Sequence, residues 1–193
     1  VGDVQEGMPT GMLTVAEVDH EGALWVAGEQ GLWVSEPVHQ QLQYHPLKPG
    51  GTNDFYNSFV RFLELPEGKL LSLDFYYKRL LLHENGRLLQ SIALPGKSSL
   101  LYRDRKGTIW VGGGDSIFQL DPQSMDLRHV ALPAWPGKVE SGAYFEQMTE
   151  DSRGNYWFAS RKNGLLVWNP QTQTAWFPDS SDGFIGTQLS SLY

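Results

Sequence analysis

A tight-turn signature recurs four times in the 193 residues, and it limits the possible folds more than any other feature. Four glycines, spaced by 46, 39 and 47 residues, mark it: Gly22, Gly68, Gly107 and Gly154. Three positions after each glycine stands a tryptophan or, once, a leucine: Trp25, Leu71, Trp110 and Trp157. Three of the turns also begin with an aspartate: Asp19, Asp104 and Asp151. Such a long period indicates one structural unit that is used four times.

Each repeat holds four short segments in which apolar and polar residues alternate, separated by Gly, Pro, Asn and Asp. The first reads MLTVAEVD, ALWVAG, GLWVSE and QLQYHP, and the second repeat keeps the pattern with Leu in place of Trp. A period of two predicts β-strands, and no segment holds a helical period over three turns. Four-stranded repeats of this length are typical of β-propeller blades. We therefore predict an all-β chain, a β-propeller with about four four-stranded blades at approximately residues 12–47, 58–94, 99–132 and 144–178.

The end of the sequence resembles the start of another repeat. After the fourth repeat the chain reads QLSSLY, which is similar to the opening SLLYRD of the third. We expect residues 188–193 to form the first strand of a further blade. Since four-bladed rings are uncommon compared with larger ones, we expect the chain to be part of a ring of about seven blades.

The repeated turn residues are predicted to have structural roles. An aspartate at the first position of a tight turn accepts backbone hydrogen bonds, and a glycine three positions later supplies a positive φ. The tryptophan after each turn is expected to pack one blade against the next. A calcium loop needs more oxygen ligands at alternate positions, which these turns lack, so we predict no metal and no cofactor.

Composition argues against several classes of function. The 15 basic and 22 acidic residues give a net charge of -7, and the absence of a basic stripe argues against a nucleic-acid partner. Without cysteine there is neither a disulfide nor thiolate chemistry. No apolar run approaches the roughly 18 residues of a membrane span, so we expect a membrane only through a downstream segment. The opening VGDVQEGMPTG lacks an initiator Met and a signal-peptide pattern, which suggests a trimmed or processed segment.

The first, third and fourth repeats resemble the two-component-regulator propeller repeat. They share the core Asp-x-x-Gly-x-x-Trp, a Gly-Leu or Ser-Ile start to the third strand, and a Pro after it. The second repeat, LPEGKLLSLDFYYKRLLLHENG, lacks both the Asp and the Trp. In that family the repeats form the extracytoplasmic sensor of bacterial two-component kinases or diguanylate cyclases. The resemblance implies a periplasmic, non-catalytic sensing segment whose ligand is an oligosaccharide or another small extracellular molecule.

Two alternative functions remain open from the sequence. LPGKSSLLYRDRKGTIWVGG is similar to the streptogramin-lyase-like propellers, which use a magnesium site and a catalytic histidine near the channel. The five histidines here share no repeated position: His20, His39, His45, His83 and His129. No catalytic set of Ser, His and Asp can be assembled from the spacing either. The other alternative is an interaction scaffold, and we expect the chain to associate with itself or with the remaining blades of its parent protein.

Ligand-binding residues are expected on the loops that join second strands to third strands and one blade to the next. These loops differ in length and expose aromatic and charged residues, whereas the Asp-x-x-Gly turns are short and uniform. Binding residues concentrate on variable loops of a rigid scaffold, aromatic faces stack on sugar rings, and charged groups bond to hydroxyls or acid groups. The predicted residues are Asp54, Phe55, Tyr56, Asp74, Tyr76, Tyr77, Arg79, Trp135, Tyr144, Arg161 and Lys162.

Overall fold

The structure is built almost wholly from short antiparallel strands, which confirms the predicted all-β class. The computed structural model describes residues 13–28, 31–35, 42–45, 59–84, 87–136, 142 and 144–183. These contain four four-stranded sheets and two short 3₁₀ turns, Pro66–Gly68 and Ser180–Asp182. Across those ranges no helix has the length and apolar character to cross a membrane. The predicted strand at 188–193 lies outside the described residues.

The chain divides into two compact units, Val1–Ala93 and Leu94–Tyr193, and each contains two of the sheets. In the first unit, each sheet is a meander in which consecutive strands are neighbours. Its first sheet comprises β1 (Leu13–Val18), β2 (Leu24–Gly28), β3 (Gly31–Ser35) and β4 (Leu42–His45). Its second sheet comprises β5 (Phe59–Leu65), β6 (Lys69–Asp74), β7 (Arg79–Glu84) and β8 (Arg87–Ala93).

The second unit repeats this arrangement. The third sheet comprises β9 (Leu101–Arg103), β10 (Ile109–Gly113), β11 (Ser116–Leu120) and β12 (Leu127–Val130). The fourth sheet comprises β13 (Phe145–Glu150), β14 (Tyr156–Ser160), β15 (Gly164–Asn169) and β16 (Thr174–Trp176). Both are again meanders of antiparallel strands.

Each unit has an apolar core made by side chains from both of its sheets. In the first unit the core contains Trp25, Ala27 and Leu32 of the first sheet with Phe62, Leu70 and Leu81 of the second. In the second unit it contains Leu100, Trp110, Ile117, Phe145, Met148, Tyr156, Phe158, Leu166 and Trp168. Trp25 and Trp110, which follow the repeated turns, are therefore packed between two sheets. Burial of such large side chains is the main source of stability in sheets packed face to face.

The turn aspartates hold the start of the second strand through the same set of hydrogen bonds in three sheets. Asp19 accepts the N–H groups of Glu21 at 3.1 Å and Ala23 at 2.8 Å, and its other oxygen accepts the Trp25 indole N–H at 2.7 Å. Asp104 and Asp151 repeat the pattern, with indole bonds from Trp110 at 2.9 Å and Trp157 at 3.0 Å. The turn glycines have the positive φ that the turn requires: Gly22 87°, Gly68 68°, Gly107 84° and Gly154 78°.

The indole bond explains why the aspartate and the tryptophan are absent together from the second sheet. At these two positions stand Leu65 and Leu71, which are 4% and 0% exposed. A buried indole N–H needs an acceptor, and a buried carboxylate needs donors. Two leucines need neither, so the polar pair is replaced as a unit by an apolar pair.

Within each unit, a glutamate at the end of a first strand bonds to the turn of the preceding sheet. The Glu64 carboxylate accepts the backbone N–H of His20 at 3.1 Å and also contacts the His20 ring nitrogen Nδ1. The Glu150 carboxylate accepts the backbone N–H of Arg105 at 3.1 Å in the second unit. The Arg105 guanidinium adds bonds to the carbonyls of Glu150 and Asp151. These contacts join the sheets of a unit at their edges.

The contact with Glu64 raises the pKa of His20 above its usual value, and Glu21 and Asp19 act in the same sense. We expect an NMR titration to give His20 a pKa above 6.5 that falls towards 6.5 in Glu64→Gln. Because the folded pKa is raised, the contact contributes its full stability below the unfolded pKa and loses it as the pH rises through the folded pKa. Glu21→Gln is the control and should change the titration little. An unchanged His20 titration in Glu64→Gln would contradict the assignment.

Candidate functional site

The described binding candidates gather at two places, one in each unit. Asp74, Tyr76, Tyr77 and Arg79 lie at the turn between β6 and β7 and form the Arg79 cluster. Arg161 and Lys162 lie at the turn between β14 and β15, with Tyr144 and Trp135 on the segment before β13, and these four form the Arg161 cluster. Asp54, Phe55 and Tyr56 lie outside the described residues.

In the Arg79 cluster, a buried ion pair fixes the turn. Asp74 is 0% exposed, and its carboxylate accepts the Arg79 Nη2 at 2.6 Å and the Tyr77 backbone N–H at 3.1 Å. Asp74 and Arg79 are direct register partners at the ends of β6 and β7. The corresponding pairs in the other sheets carry no charge: Gly28–Gly31, Gly113–Ser116 and Ser160–Gly164. The ion pair is therefore a special feature of the second sheet.

The ion pair also positions an aromatic surface. The Arg79 guanidinium carbon lies 4.6 Å from the centre of the Tyr77 ring, within the range of a cation–π contact. Tyr76 is 48% exposed, and its ring meets Phe75 edge-on at 5.4 Å. The Asp74 carboxylate is buried and is bonded to Arg79 and to the Tyr77 amide. We therefore assign to Asp74 the role of positioning these two residues. Tyr76 presents the aromatic surface that a flat ligand can contact.

In the Arg161 cluster, one guanidinium joins a phenol and a carboxylate. Arg161 Nη1 donates to the Tyr144 hydroxyl at 3.0 Å and to the Glu146 carboxylate at 3.1 Å. The Arg161 backbone N–H donates to the Tyr144 carbonyl at 2.9 Å. Burial raises the pKa of Tyr144, whereas Arg161 acts to lower it. The Arg161 side chain is 54% exposed, so it remains accessible to a ligand.

The remaining two candidates of this cluster have different surroundings. The Trp135 ring packs against Phe177 at 5.2 Å and Phe145 at 6.4 Å, so it covers the core of the unit. Lys162 is exposed, and its backbone N–H donates to the Ser160 carbonyl at 3.0 Å. Trp135 therefore fits a packing role better than a binding role, while Lys162 adds a positive charge beside Arg161.

Glu146, the carboxylate partner of Arg161, is not among the residues that the sequence predicts for the site. The register of β13 shifts between Phe145 and Gln147, which makes Glu146 the extra residue of a β-bulge. A bulge places two residues opposite one, so simple alternation no longer predicts which way a side chain points. The sequence signal was the polar pair Glu146 and Gln147 within an otherwise alternating strand.

The described histidines have three different surroundings. The His83 ring is buried, with Nε2 2.7 Å from the Ser72 hydroxyl, and the His129 ring packs edge-on against Phe118 at 5.5 Å. His20 contacts Glu64 in the first unit. Over the ranges that the structure describes, no group of three or more His, Asp or Glu side chains is placed to hold a metal ion.

Comparison with solved structures shows the β-propeller fold. The extracellular domain of a protein assigned to the hybrid two-component systems of B. thetaiotaomicron matches with a TM-score of 0.71 and 14% identity, over 96% of this chain and 24% of that one. Virginiamycin B lyase from Staphylococcus aureus matches with a TM-score of 0.63 and 15% identity, over 91% and 59%. The WD40 β-propeller domain of Doa1 matches with a TM-score of 0.51 and 16% identity, over 80% and 49%. The predicted β-propeller with about four blades is thus confirmed.

The similarity covers only part of each of these proteins. The chain spans about a quarter of the B. thetaiotaomicron domain and less than two thirds of the lyase. No protein-family model and no curated protein matches the sequence. At such low identity the similarity establishes the fold alone.

Proposed function

We propose that the chain is a segment of an extracytoplasmic, ligand-sensing propeller from a bacterial signalling receptor, located in the periplasm, and that the propeller itself is non-catalytic. The observation that carries this proposal is the match of 96% of the chain to the extracellular domain of a protein assigned to the hybrid two-component systems. The repeated Asp-x-x-Gly-x-x-Trp signature supports the same family of sensors. The receptor's output domain, a kinase or a cyclase, would lie in another part of the parent protein.

The Arg79 and Arg161 clusters suit a carbohydrate. In both, an arginine lies against a tyrosine ring, at 4.6 Å and 5.8 Å from the ring centre. Sugars offer hydroxyl groups to guanidinium donors and C–H-rich faces to aromatic rings, and acidic sugars add a carboxylate or sulfate that arginine binds in a bidentate manner. The exposed ring of Tyr76 and the exposed guanidinium of Arg161 are the groups we expect to touch the ligand first.

The test is a thermal melting screen of the 193-residue chain against neutral, uronate-containing and sulfated oligosaccharides. We expect at least one class to raise the melting temperature, because a ligand that binds only the folded state stabilises it. Tyr76→Ala is expected to weaken the binding by about tenfold through loss of ring stacking. Leu89→Ser, which changes an exposed side chain of β8 in the same sheet, is the matched control. A screen without any stabilising sugar, or equal affinities for Tyr76→Ala and the parent chain, would count against the proposed site.

The match to virginiamycin B lyase favours an enzyme as the second candidate. That function predicts turnover of virginiamycin B which stops when EDTA removes divalent metal. Incubation of the chain with virginiamycin B, with and without magnesium, separates the two functions. Metal-dependent turnover would replace the sensor proposal, whereas an unchanged substrate would support it.

A further inference from the structure

A groove of about 380 Å³ lies between the third and fourth sheets of the second unit, beside the Asp104 turn. Its volume falls within the range of small-molecule sites. Six side chains define its chemistry: Lys106, Trp110, Gln119, Arg128, Tyr156 and Trp168. None of them belongs to the Arg79 or Arg161 cluster, and the groove adjoins an Asp-x-x-Gly turn, which the sequence suggested to be purely structural.

The strand register explains how these side chains come together. Trp110 pairs with Gln119 and Gln119 pairs with Arg128, so the three form one row across β10, β11 and β12. Directly opposed residues of an antiparallel sheet project to the same face. Tyr156 and Trp168 are register partners in β14 and β15 and form the facing wall. The Trp110 and Tyr156 rings are 5.1 Å apart, and the Tyr156 and Trp168 rings are 6.2 Å apart.

One position that lines the groove, Gln119, carries an aliphatic side chain in each of the other three sheets. The position occupied by Gln119 is Val34 in the first sheet, Leu82 in the second and Val167 in the fourth. Val34 packs against the apolar core of the first unit. An aliphatic side chain fills space between sheets, whereas a glutamine and an arginine orient their polar ends towards water. The third sheet therefore departs from the repeat at the position that lines the groove.

The groove is positively charged in a chain of net charge -7. Lys106 and Arg128 are exposed, and among the described residues neither forms an ion pair. The lining contains no carboxylate. The Asp104 carboxylate is not part of the lining, and it accepts hydrogen bonds from Trp110 and Tyr156. His129 also lines the groove, and its ring packs edge-on against Phe118, its register partner in β11.

We infer that this groove binds a small organic carboxylate with a flat apolar face, at a site separate from the two turn clusters. Arg128 and Lys106 would bind the carboxylate, because guanidinium and ammonium groups form charge-assisted hydrogen bonds with it. Gln119 would donate its amide N–H to the same group or to a neighbouring hydroxyl. The small exposed parts of the Trp168, Tyr156 and Trp110 side chains, which are 6%, 4% and 2% exposed, would contact the edge of the apolar face. An aromatic acid and a hexuronate share this chemistry.

Isothermal titration calorimetry on the 193-residue chain tests the inference with benzoate and glucuronate, each beside its uncharged analogue, benzyl alcohol and methyl glucoside. We expect at least one acid to bind and its neutral analogue to bind at least about tenfold more weakly, with weaker binding of the acid at high salt. Binding of benzoate alone identifies an aromatic-acid site, and binding of glucuronate alone identifies a sugar-acid site. Binding of neither acid, or equal binding of the neutral analogues, overturns the inference.

Two variants assign the binding to the groove. Arg128→Gln is expected to lower the affinity by about tenfold, whereas Arg153→Gln, at the position in the fourth turn that corresponds to Lys106, should leave it unchanged. Gln119→Val installs the residue found at Val34 and Val167, so it should abolish binding while the melting temperature is retained. Equal effects of Arg128→Gln and Arg153→Gln, or unchanged binding in Gln119→Val, would place the acid elsewhere and overturn the assignment.

Discussion

Asp104→Ala is expected to lower the free energy of unfolding by about 4 kcal/mol. The Asp104 carboxylate is 4% exposed and accepts four hydrogen bonds, from the Lys106 and Thr108 amides, the Trp110 indole and the Tyr156 hydroxyl. Trp110 and Tyr156 are themselves 2% and 4% exposed. Removal of the carboxylate leaves both donors buried without a partner, and each such group costs the free energy of its lost hydration.

Urea unfolding followed by fluorescence measures the free energy of unfolding that Asp104→Ala loses. The variant Asp151→Ala in the fourth repeat is the matched control. Asp151 occupies the same position in the fourth sheet, but its indole partner Trp157 is only half-buried. We expect Asp151→Ala to cost less than half as much as Asp104→Ala. Asp104→Asn should remain costly, because the side-chain amide would point an N–H group at the Trp110 indole N–H, which can only donate. Equal losses in the Asp104 and Asp151 variants would show that burial does not set the cost.

The pH dependence of Asp104 gives a second readout of the same bonds. Burial alone acts to raise the pKa of this carboxyl, but the hydrogen bonds from Trp110, Tyr156 and the turn amides outweigh it and lower the pKa below 3.8. A carboxyl whose pKa is depressed in the folded state adds stability above its unfolded pKa and loses it as the pH falls through the folded value. The difference in stability between the parent chain and Asp104→Ala should therefore shrink at low pH.

The sequence was sufficient to predict the class of fold because the repeat encodes it locally. The Asp-x-x-Gly turn and the alternating segments around Trp110 specify a turn and its flanking strands without reference to distant residues. The function of the aspartate was harder to predict. Its bond to the indole six residues later depends on the twist of the strand, and the bond from Tyr156 to Asp104 joins different sheets.

The candidate site could be predicted only in outline. The sequence identified the two turns with arginine and tyrosine, but not the burial of Asp74 or the partnership of Glu146 with Arg161. The burial of Asp74 depends on packing by the whole second sheet. The contact of Glu146 with Arg161 depends on the bulge in β13. The groove was not predicted because Gln119 is unusual only by comparison with the aliphatic residues at its position in the other three sheets, and that comparison needs the strand register.

Gly112 is a residue whose role depends on contacts with another segment of the chain. It stands where the first and fourth sheets have Ala27 and Ala159. A Cβ at Gly112 would lie 2.1 Å from the Ser98 hydroxyl oxygen, which donates to the Phe145 carbonyl at 3.0 Å. The glycine is required by a close approach of a segment 14 residues earlier in the chain, and no local propensity indicates it.

Arg79→Ser is expected to lower the free energy of unfolding by about 3 kcal/mol. It removes the partner of the fully buried Asp74 carboxylate, which then keeps the Tyr77 amide as its donor. Breaking a buried pair from one side leaves an uncompensated charge, which costs more than the pair itself contributes. Asp74→Ser should cost less, because the Arg79 side chain is 26% exposed and its charge can be hydrated. Urea unfolding of both variants measures the difference.

The double variant Asp74→Ser with Arg79→Ser tests whether the Asp74–Arg79 ion pair is needed for folding or for ligand binding. It places at these positions the serines found in the other sheets, Ser160 and Ser116, so at least half of the stability lost in Arg79→Ser should return. A double variant as unstable as Arg79→Ser would mean that the second sheet needs the ion pair in order to fold. If the stability returns while the affinity for a bound sugar is lost, the pair is dispensable for the fold and serves to hold Arg79 against Tyr77. Ligand binding would then be the reason for the ion pair, because the corresponding register pairs in the other three sheets carry no charge.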